Sequence, residues 1–194
     1  AEQLDFFETF GFLQFPGLLT DCINEIVNEF ETVWDRNGGG HNRKQHDGKH
    51  RSVLVPFIDQ SERLSALIDD SRIHDIAASI LGDDFGYGGR DGNYYAGDTG
   101  WHSDGWSVNQ PPSIKIALYL DPLTHDTGAL RVIPGSHRSG DTYADYLQKQ
   151  IRESDSLWNV EGCEVPAYAI ESRPGDVSCF YHKTKHASFG GSPR

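Results

Sequence analysis

Ser-Ile-Lys-Ile-Ala-Leu-Tyr-Leu-Asp, residues 113–121, carries the clearest strand pattern of the chain. Its side chains alternate with a period of two, with Ile114, Ile116, Leu118 and Leu120 on one side and Lys115, Ala117 and Tyr119 on the other. The alternation predicts a β-strand. Residues 129–133 and 176–181 are further strand candidates, and Gly, Pro and Asp punctuate the second half of the chain. We therefore expect a β core there.

The beginning of the chain has helical patterns instead. Residues 2–10 carry apolar side chains and then meet Gly11, which predicts a short helix. A second helix is predicted by apolar residues at a spacing of three or four, with Thr20 or Asp21 as its cap. These apolar residues are Ile23, Ile26, Val27, Phe30 and Val33.

Three more helices are expected, over about 62–68, from a cap at Ser71 to Gly82, and over 143–151. No internal repeat interrupts this order. The layout predicts a single domain over residues 1–194, with a helical N-terminal part over about 1–82 and a β core over about 83–194.

Residues 36–51 give the strongest loop signal. They contain four glycines, five basic residues and the histidines His41, His46 and His50. Glycine-rich polar segments are usually solvated and mobile. We therefore favour a loop over a metal site here, and a lid over a pocket is one role that the sequence leaves open.

The overall charge bears on the partners. The 194 residues carry a formal net charge of −12, which argues against a nucleic acid or an anionic membrane surface as a partner. The three cysteines have no zinc or redox spacing, and neither a membrane span nor a signal-peptide pattern is found. We expect a reduced, cytoplasmic protein, and the sequence leaves its oligomeric state open.

Trp-His-Ser-Asp-Gly, residues 101–105, is the first stretch with chemical character. In extended chain the side chains of His102 and Asp104 point to the same face, so an imidazole and a carboxylate converge. A third ligand is available from His182 or His186. Two histidines and one carboxylate on one side of a metal leave the opposite side open, which suits non-haem iron(II).

Several motifs together resemble the phytanoyl-CoA dioxygenase family of iron(II)/2-oxoglutarate oxygenases. In chain order they are Phe-Gly-Phe-Leu (10–13), Pro-Gly-Leu-Leu (16–19), Trp-His-Ser-Asp-Gly (101–105), Leu-Tyr-Leu-Asp (118–121), Thr-Gly-Ala-Leu-Arg-Val-Ile-Pro-Gly-Ser-His (127–137), Pro-Gly-Asp-Val (174–177) and His-Ala-Ser (186–188). The resemblance covers nearly the whole chain. It implies a mainly β fold with flanking helices, namely a double-stranded β-helix, a jelly-roll or cupin-like barrel of two sheets.

The resemblance also implies the metal ligands. His102 and Asp104 match the proximal pair, and His186 matches the distal histidine because Ser188 follows it two residues later. His182 is the rival, but four residues of extended chain span roughly 13 Å, so both histidines cannot be ligands in that geometry. The same resemblance makes His137 a residue of a structural turn.

Arg194 matches the arginine that grips the distal carboxylate of 2-oxoglutarate, since a guanidinium presents two donors to a carboxylate. The family normally continues with one more strand, so we expect a C-terminal strand beyond this sequence. Ser188, Lys115 and Asn93 are further candidates for the cosubstrate site. Candidates for the walls of the substrate pocket are Trp101, Trp106 and Tyr119.

The implied activity is a hydroxylation that uses Fe(II), 2-oxoglutarate and O2 and releases succinate and CO2, with a small organic molecule as substrate. A halogenating relative lacks the carboxylate ligand, so Asp104 argues against halogenation. Two alternatives stay open: a cupin-like metal protein that does not use 2-oxoglutarate, and a non-catalytic binding module on the same barrel. Ser188 and Arg194 argue against the first of these.

Overall fold

The computed structural model describes residues 1–89, 91–107, 109–153 and 157–191. Within these ranges it contains five α-helices and nine β-strands. The helices are α1 (Glu2–Phe10), α2 (Ile23–Arg36), α3 (Glu62–Ser65), α4 (Ser71–Leu81) and α5 (Thr142–Glu153). The strands are β1 (Phe12–Phe15), β2 (Ser52–Leu54), β3 (Gly92–Tyr94), β4 (Gly97–His102), β5 (Ile114–Leu118), β6 (Leu130–Val132), β7 (Tyr168–Ile170), β8 (Val177–Tyr181) and β9 (His186–Gly191).

The chain forms two compact units, each described here by itself. The barrel unit comprises residues 1–17 and 98–191, and the helical unit comprises residues 18–97. The strand β1 therefore belongs with the β core, although the sequence placed residues 1–82 in a helical part. The single-domain expectation stays a prediction.

The barrel unit contains two antiparallel sheets. One has the strand order β1-β8-β5 and the other β4-β9-β6-β7. The strands β8 and β9 follow each other through the turn at residues 182–185 but enter different sheets. Chain that passes from one sheet to the other in this way is the arrangement of a double-stranded β-helix, so the predicted fold class is confirmed.

An inner cluster fills the space between the sheets. Its buried members come from β1, β6, β7 and β8, with Ala117 of β5 and Tyr119 just after this strand packed against them. These buried members are Phe12, Leu130, Val132, Ile170 and Phe180. The face of β5 that packs inward is therefore the one that carries Lys115 and Ala117. The Ile114 face is half-buried, so hydrophobicity alone does not identify the inner face.

An outer cluster packs α5 against the second sheet. It joins Leu147 of α5 to Trp101 of β4 and Ala187 of β9, together with Ile133, Leu157 and Val165. Since neighbouring residues of a strand point to opposite faces, Ala187 lies in the outer cluster and its neighbours His186 and Ser188 point inward. The alternation therefore places the side chains of His186 and Ser188 inside the barrel.

Helix α1 begins and ends where the sequence predicts. It stops at Gly11, whose φ is 86°, a left-handed conformation that glycine adopts without strain. The residue also needs to be small, because a Cβ here would lie 2.4 Å from Nδ1 of His137. The carbonyl of Gly11 accepts hydrogen bonds from the backbone of Tyr181 and from the Thr184 hydroxyl, each at 3.0 Å.

The helical unit contains α2, α3, α4 and the β2–β3 pair. The predicted caps are wrong in both long helices: Cys22 precedes α2 without a side-chain cap, and Asp70 caps α4 by accepting from the backbone of Arg72. Ser71 is instead the first helical residue. Asp70 and Ser71 are both favoured cap residues, so composition did not distinguish them. No helix in the described ranges is long and apolar enough to cross a membrane.

Candidate metal centre

Backbone contacts bring the three candidate ligands together. Strand β4 ends at His102, and two residues later the amide of Asp104 donates a hydrogen bond of 3.0 Å to the carbonyl of His182. The β8–β9 turn continues from His182 to His186, the first residue of β9. The ligand atoms of His102, Asp104 and His186 consequently lie within 4.8 Å of one another. In the described part of the chain this is the one such group of three or more potential metal ligands.

The two histidines are prepared for a metal by their second ring nitrogens. Nδ1 of His102 lies 2.9 Å from the carbonyl of Gly100, and Nδ1 of His186 lies 2.8 Å from the carbonyl of Thr184. A carbonyl only accepts, so Nδ1 carries the proton in each ring. The lone pair of each ring is then on Nε2, and Nε2 of His186 lies 3.4 Å from Oδ2 of Asp104. Metal-bound histidines are usually oriented in this way.

The charges of the cluster fit a cation. Burial lowers the pKa of the His186 imidazole, and His102 beside it acts in the same direction, so His186 is neutral at neutral pH. Burial raises the pKa of Asp104, but Lys115 and His186 outweigh this effect, and the net shift is downward. Oδ2 of Asp104 is buried, without a hydrogen bond of good geometry, although the Lys115 ammonium lies 2.7 Å away. Two imidazole lone pairs and one carboxylate thus converge, which is the donor set that non-haem iron(II) takes.

A cavity of about 270 Å³ adjoins the cluster. Its lining comes from the end of β4 and the loop after it and from α5: Trp101, His102, Ser103, Asp104, Gly105, Trp106, Gln148 and Ile151. Neighbouring side chains at the end of β4 have different partners. His102 belongs to the ligand cluster, while the hydroxyl of Ser103, the residue after the strand, donates to Oε1 of Gln148 at 2.9 Å. The cavity therefore contacts two candidate ligands and one face of α5.

His182 and His137 of the barrel unit have different surroundings. His182 lies in a turn, not in the extended chain that the sequence suggested, so the distance argument against it was wrong. It is nevertheless outside the ligand group and contributes through its backbone carbonyl. His137 stacks on Tyr181 with 4.9 Å between the ring centroids, and its Nε2 lies 3.2 Å from the carbonyl of Glu8. These contacts suit a structural turn residue.

With this geometry in place, comparison with known proteins gives the family. Residues 7–193 match the family described as phytanoyl-CoA dioxygenase (PhyH). The chain belongs to the PhyH family. The resemblance seen in the linked motifs of the sequence is thereby confirmed.

This PhyH chain is similar to relatives in sequence and to solved structures in fold. The ectoine dioxygenase of Nocardia farcinica (strain IFM 10152) is 29% identical over 182 residues, which cover 80% of this chain and 58% of that relative. HygX from Streptomyces hygroscopicus, solved with nickel and 2-oxoglutarate bound, has a TM-score of 0.76 at 16% identity, over 100% of this chain and 82% of that one. EctD from S. alaskensis, solved with 2-oxoglutarate and 5-hydroxyectoine, has a TM-score of 0.72 at 21% identity, over 100% and 71%. These structures share the fold of this PhyH chain.

The remaining predicted site residues of this PhyH chain lie in different places. Ser188 is inward-facing on β9, and its hydroxyl donates to the carbonyl of Gly128 at 2.8 Å. Tyr119 packs on the inner cluster. Asn93 lies on β3 of the helical unit, where its amide contacts Arg51 and Asp91. Arg194 lies outside the described residues, so its role stays a prediction.

The two predicted pocket tryptophans both line the cavity but are held differently. Trp101 belongs to the outer cluster, and its indole N–H donates to the carbonyl of Gly162 at 2.8 Å. Trp106 lies against the ammonium of Lys185, whose Nζ is 3.0 Å from the ring centroid. Lys185 is fully buried, and its Nζ also donates to the carbonyls of Ser136 and Lys183. A cation on the face of an indole stabilises the ring in place.

Two residues of the site escaped the sequence analysis. Lys185 looks like one more charged residue of a polar turn, and nothing in the sequence indicates its burial. Gln148 had a usable signal, because it shares one face of α5 with Ala144, Leu147 and Ile151. A glutamine in an otherwise apolar stripe is a reason to search for a polar partner or ligand.

Proposed function

We propose that this chain is an iron(II)- and 2-oxoglutarate-dependent oxygenase that hydroxylates a small organic molecule and releases succinate and CO2. The observation that carries the proposal is the convergence of His102, Asp104 and His186, with both Nδ1 protons held by backbone carbonyls. His102, Asp104 and His186 would hold the metal. Bound iron would supply the activation of O2 that oxidises a C–H bond.

The chain's own residues prepare the site. The carbonyls of Gly100 and Thr184 fix the orientation of the two imidazoles, and the carbonyl of His182 holds the backbone of Asp104. Burial keeps His186 neutral, so its lone pair is available for a metal at neutral pH. These contacts supply the oriented surroundings on which a metal site depends.

Four residues are proposed for 2-oxoglutarate. Arg194 would clamp its distal carboxylate, and Ser188 points to the same face of β9 as His186. The side chain of Lys115 pairs with Asp104 but is 43% exposed. Its ammonium can therefore also attract an anionic cosubstrate. Asn93 stays a weaker candidate, because Arg51 and Asp91 already engage its amide.

The substrate is proposed to be small and organic, and ectoine is the first compound to try because a relative is named for it. Trp101, Trp106 and Tyr119 are proposed pocket residues. The net charge of −12 supports the proposal that neither nucleic acid nor a membrane surface is a partner. Three unpaired cysteines support a cytoplasmic location.

The test is the formation of succinate from 2-oxoglutarate by the purified protein, with and without Fe(II) and O2, alone and with candidate substrates that begin with ectoine. We expect succinate only when both iron and oxygen are present, and more of it with the true substrate. Iron binding without decarboxylation of 2-oxoglutarate would favour the cupin-like alternative. The absence of both would favour a binding module.

A further inference from the structure

Gln148 is an unusual residue for its position on α5. Its side chain is only 7% exposed, and its neighbours on the inward face of the helix are apolar. It nevertheless lines the cavity that also contacts His102 and Asp104. A buried amide in an apolar stripe costs free energy unless its donors and acceptor find partners.

The hydrogen bond with Ser103 identifies the end of the Gln148 amide that already has a partner. Ser103 Oγ donates to Oε1 of Gln148 at 2.9 Å, and within the described ranges the hydroxyl has no other acceptor. A hydroxyl proton needs an acceptor, so Oε1 is the atom at Ser103 and Nε2 is the atom that remains. Within the described ranges, the hydrogen bond with Ser103 is the one that the Gln148 side chain makes. Its two N–H donors are therefore left for whatever occupies the cavity.

We propose that Gln148 is a specificity-determining residue that donates a hydrogen bond to a carboxylate or carbonyl oxygen of the substrate. The inference rests on the proposed oxygenase function and names its substrate class: a small molecule that carries such an oxygen on a frame with an apolar part. Trp106 and Ile151 offer the apolar walls for that frame. The Lys115 ammonium beside Asp104 adds positive charge to this end of the barrel, which favours an anionic group.

The test compares matched substrates and matched variants. The probes are a fixed panel of small cyclic carboxylates and carboxamides, each paired with the analogue that lacks the acceptor group; ectoine and its analogue without the carboxylate form the first pair. Succinate release is measured for the wild type, Gln148→Met, Gln148→Glu and Gln150→Met. Gln148→Met removes the donors at similar volume, Gln148→Glu reverses them into acceptors, and Gln150→Met makes the same change on α5 outside the cavity.

We expect acceptor-bearing probes to stimulate succinate release and their analogues to fail. Both Gln148 variants should raise KM for the stimulating probe by about tenfold or more, because a hydrogen bond to a charged acceptor is lost. Gln150→Met should leave KM unchanged, and Fe(II) affinity should be the same in all four proteins. Gln148→Glu serves if Gln148→Met does not fold, since it keeps the shape of the side chain.

Three results would overturn the inference. One is equal stimulation by the analogues without an acceptor, and another is an unchanged KM in the Gln148 variants. The third is a wild type that forms succinate with iron and oxygen but is stimulated by no member of the panel. In that case the proposed function survives while the substrate class is wrong. A wild type without any iron-dependent succinate would instead refute the proposed function.

Discussion

Histidines are concentrated in two parts of this chain, and the two parts use them differently. In the barrel unit, His102 and His186 are 84 positions apart in the sequence yet have 4.2 Å between their ring centroids. In the loop at residues 36–51 the histidines are close in sequence, but His46 stacks on Tyr94 and His50 pairs with Asp47. Strand pairing, not density in the sequence, is what gathers ligands around one point.

The contrast extends to the ring nitrogens. In the barrel, backbone carbonyls hold Nδ1 of both rings and leave Nε2 for the cluster. In the loop, Nδ1 of His46 lies 3.0 Å from the Ser52 hydroxyl and Nδ1 of His50 lies 2.7 Å from Asp47. His50 is also highly exposed, with 81% of its side chain accessible. The loop contacts are local, and they orient no common set of lone pairs.

The largest expected effect is the loss of metal binding from the barrel cluster. His102→Ala, Asp104→Ala and His186→Ala should each weaken Fe(II) binding by more than about a hundredfold, since even indirect partners of a metal site cost ten- to a hundredfold. Anaerobic Fe(II) titration measures this. His182→Ala is the matched control and should retain binding, because His182 holds Asp104 through its main-chain carbonyl. Retention in His186→Ala with loss in His182→Ala would reverse the assignment of the distal ligand.

The second effect concerns Arg194, the proposed clamp for the distal carboxylate of 2-oxoglutarate. Arg194→Ala should weaken 2-oxoglutarate binding roughly thirty-fold or more, since leaving one partner of a buried charge pair alone typically costs about 2–5 kcal/mol. Arg194→Lys should recover only part of this, because an ammonium lacks the two-pronged donor. The measurement is 2-oxoglutarate affinity in the presence of Fe(II). The exposed Arg173 provides a control, Arg173→Ala, and equal affinity in Arg194→Ala and wild type would move the clamp elsewhere.

The third effect concerns His137, a structural histidine outside the candidate ligand cluster, and the pH dependence of the free energy of unfolding. Burial lowers the pKa of His137 to about 4, and the charges of Arg138 and Lys185 act in the same direction, against the hydrogen bond to Glu8. The unfolded chain then binds more protons than the folded chain between about pH 6.5 and 4. The free energy of unfolding should therefore fall as the pH drops through this window.

The measurement for His137 is urea denaturation of the wild type and His137→Gln at several pH values. The slope of the free energy of unfolding against pH should be smaller in the variant. It should not be zero, because burial lowers the pKa of His186 as well. His125→Gln makes the same change at an exposed histidine of the barrel unit and serves as the control for the substitution itself. An unchanged slope in His137→Gln would mean that protonation of His137 does not affect the free energy of unfolding.

Much of the fold and of the ligand set follows from the sequence, for physical reasons that differ by element. Helix α1 has its end fixed locally, by Gly11, and was predicted to the residue. The three candidate ligands were singled out because linked motifs give their order along the chain, and the structure brings them together, while their role as ligands stays a prediction. The cap of α4 was wrong because the adjacent residues Asp70 and Ser71 have similar capping tendencies. The cap of α2 was wrong because Cys22 precedes this helix without a side-chain cap.

What the sequence could not supply depends on long-range contacts. The inward face of β5 carries Lys115 and Ala117, and both faces of this strand are half-buried, so the packing against the inner cluster decides the inward face. The burial of Lys185 depends on carbonyls of two turns and on the face of Trp106. The amide N–H donors of Gln148 are identified as available only from the structure, because Ser103 binds the oxygen of this amide.

The smallest expected effect lies in the loop at residues 36–51 and tests the comparison directly. His46→Ala removes a hydrogen bond to Ser52 and a stacking contact on Tyr94, so it should lower the free energy of unfolding by about 0.5–1.5 kcal/mol. It should leave Fe(II) affinity unchanged, as should His50→Ala. Thermal or urea denaturation measures the first quantity and anaerobic Fe(II) titration the second. If either variant weakened Fe(II) binding as much as Asp104→Ala does, the loop would belong to the metal site, and strand pairing alone would not explain how the ligands are gathered.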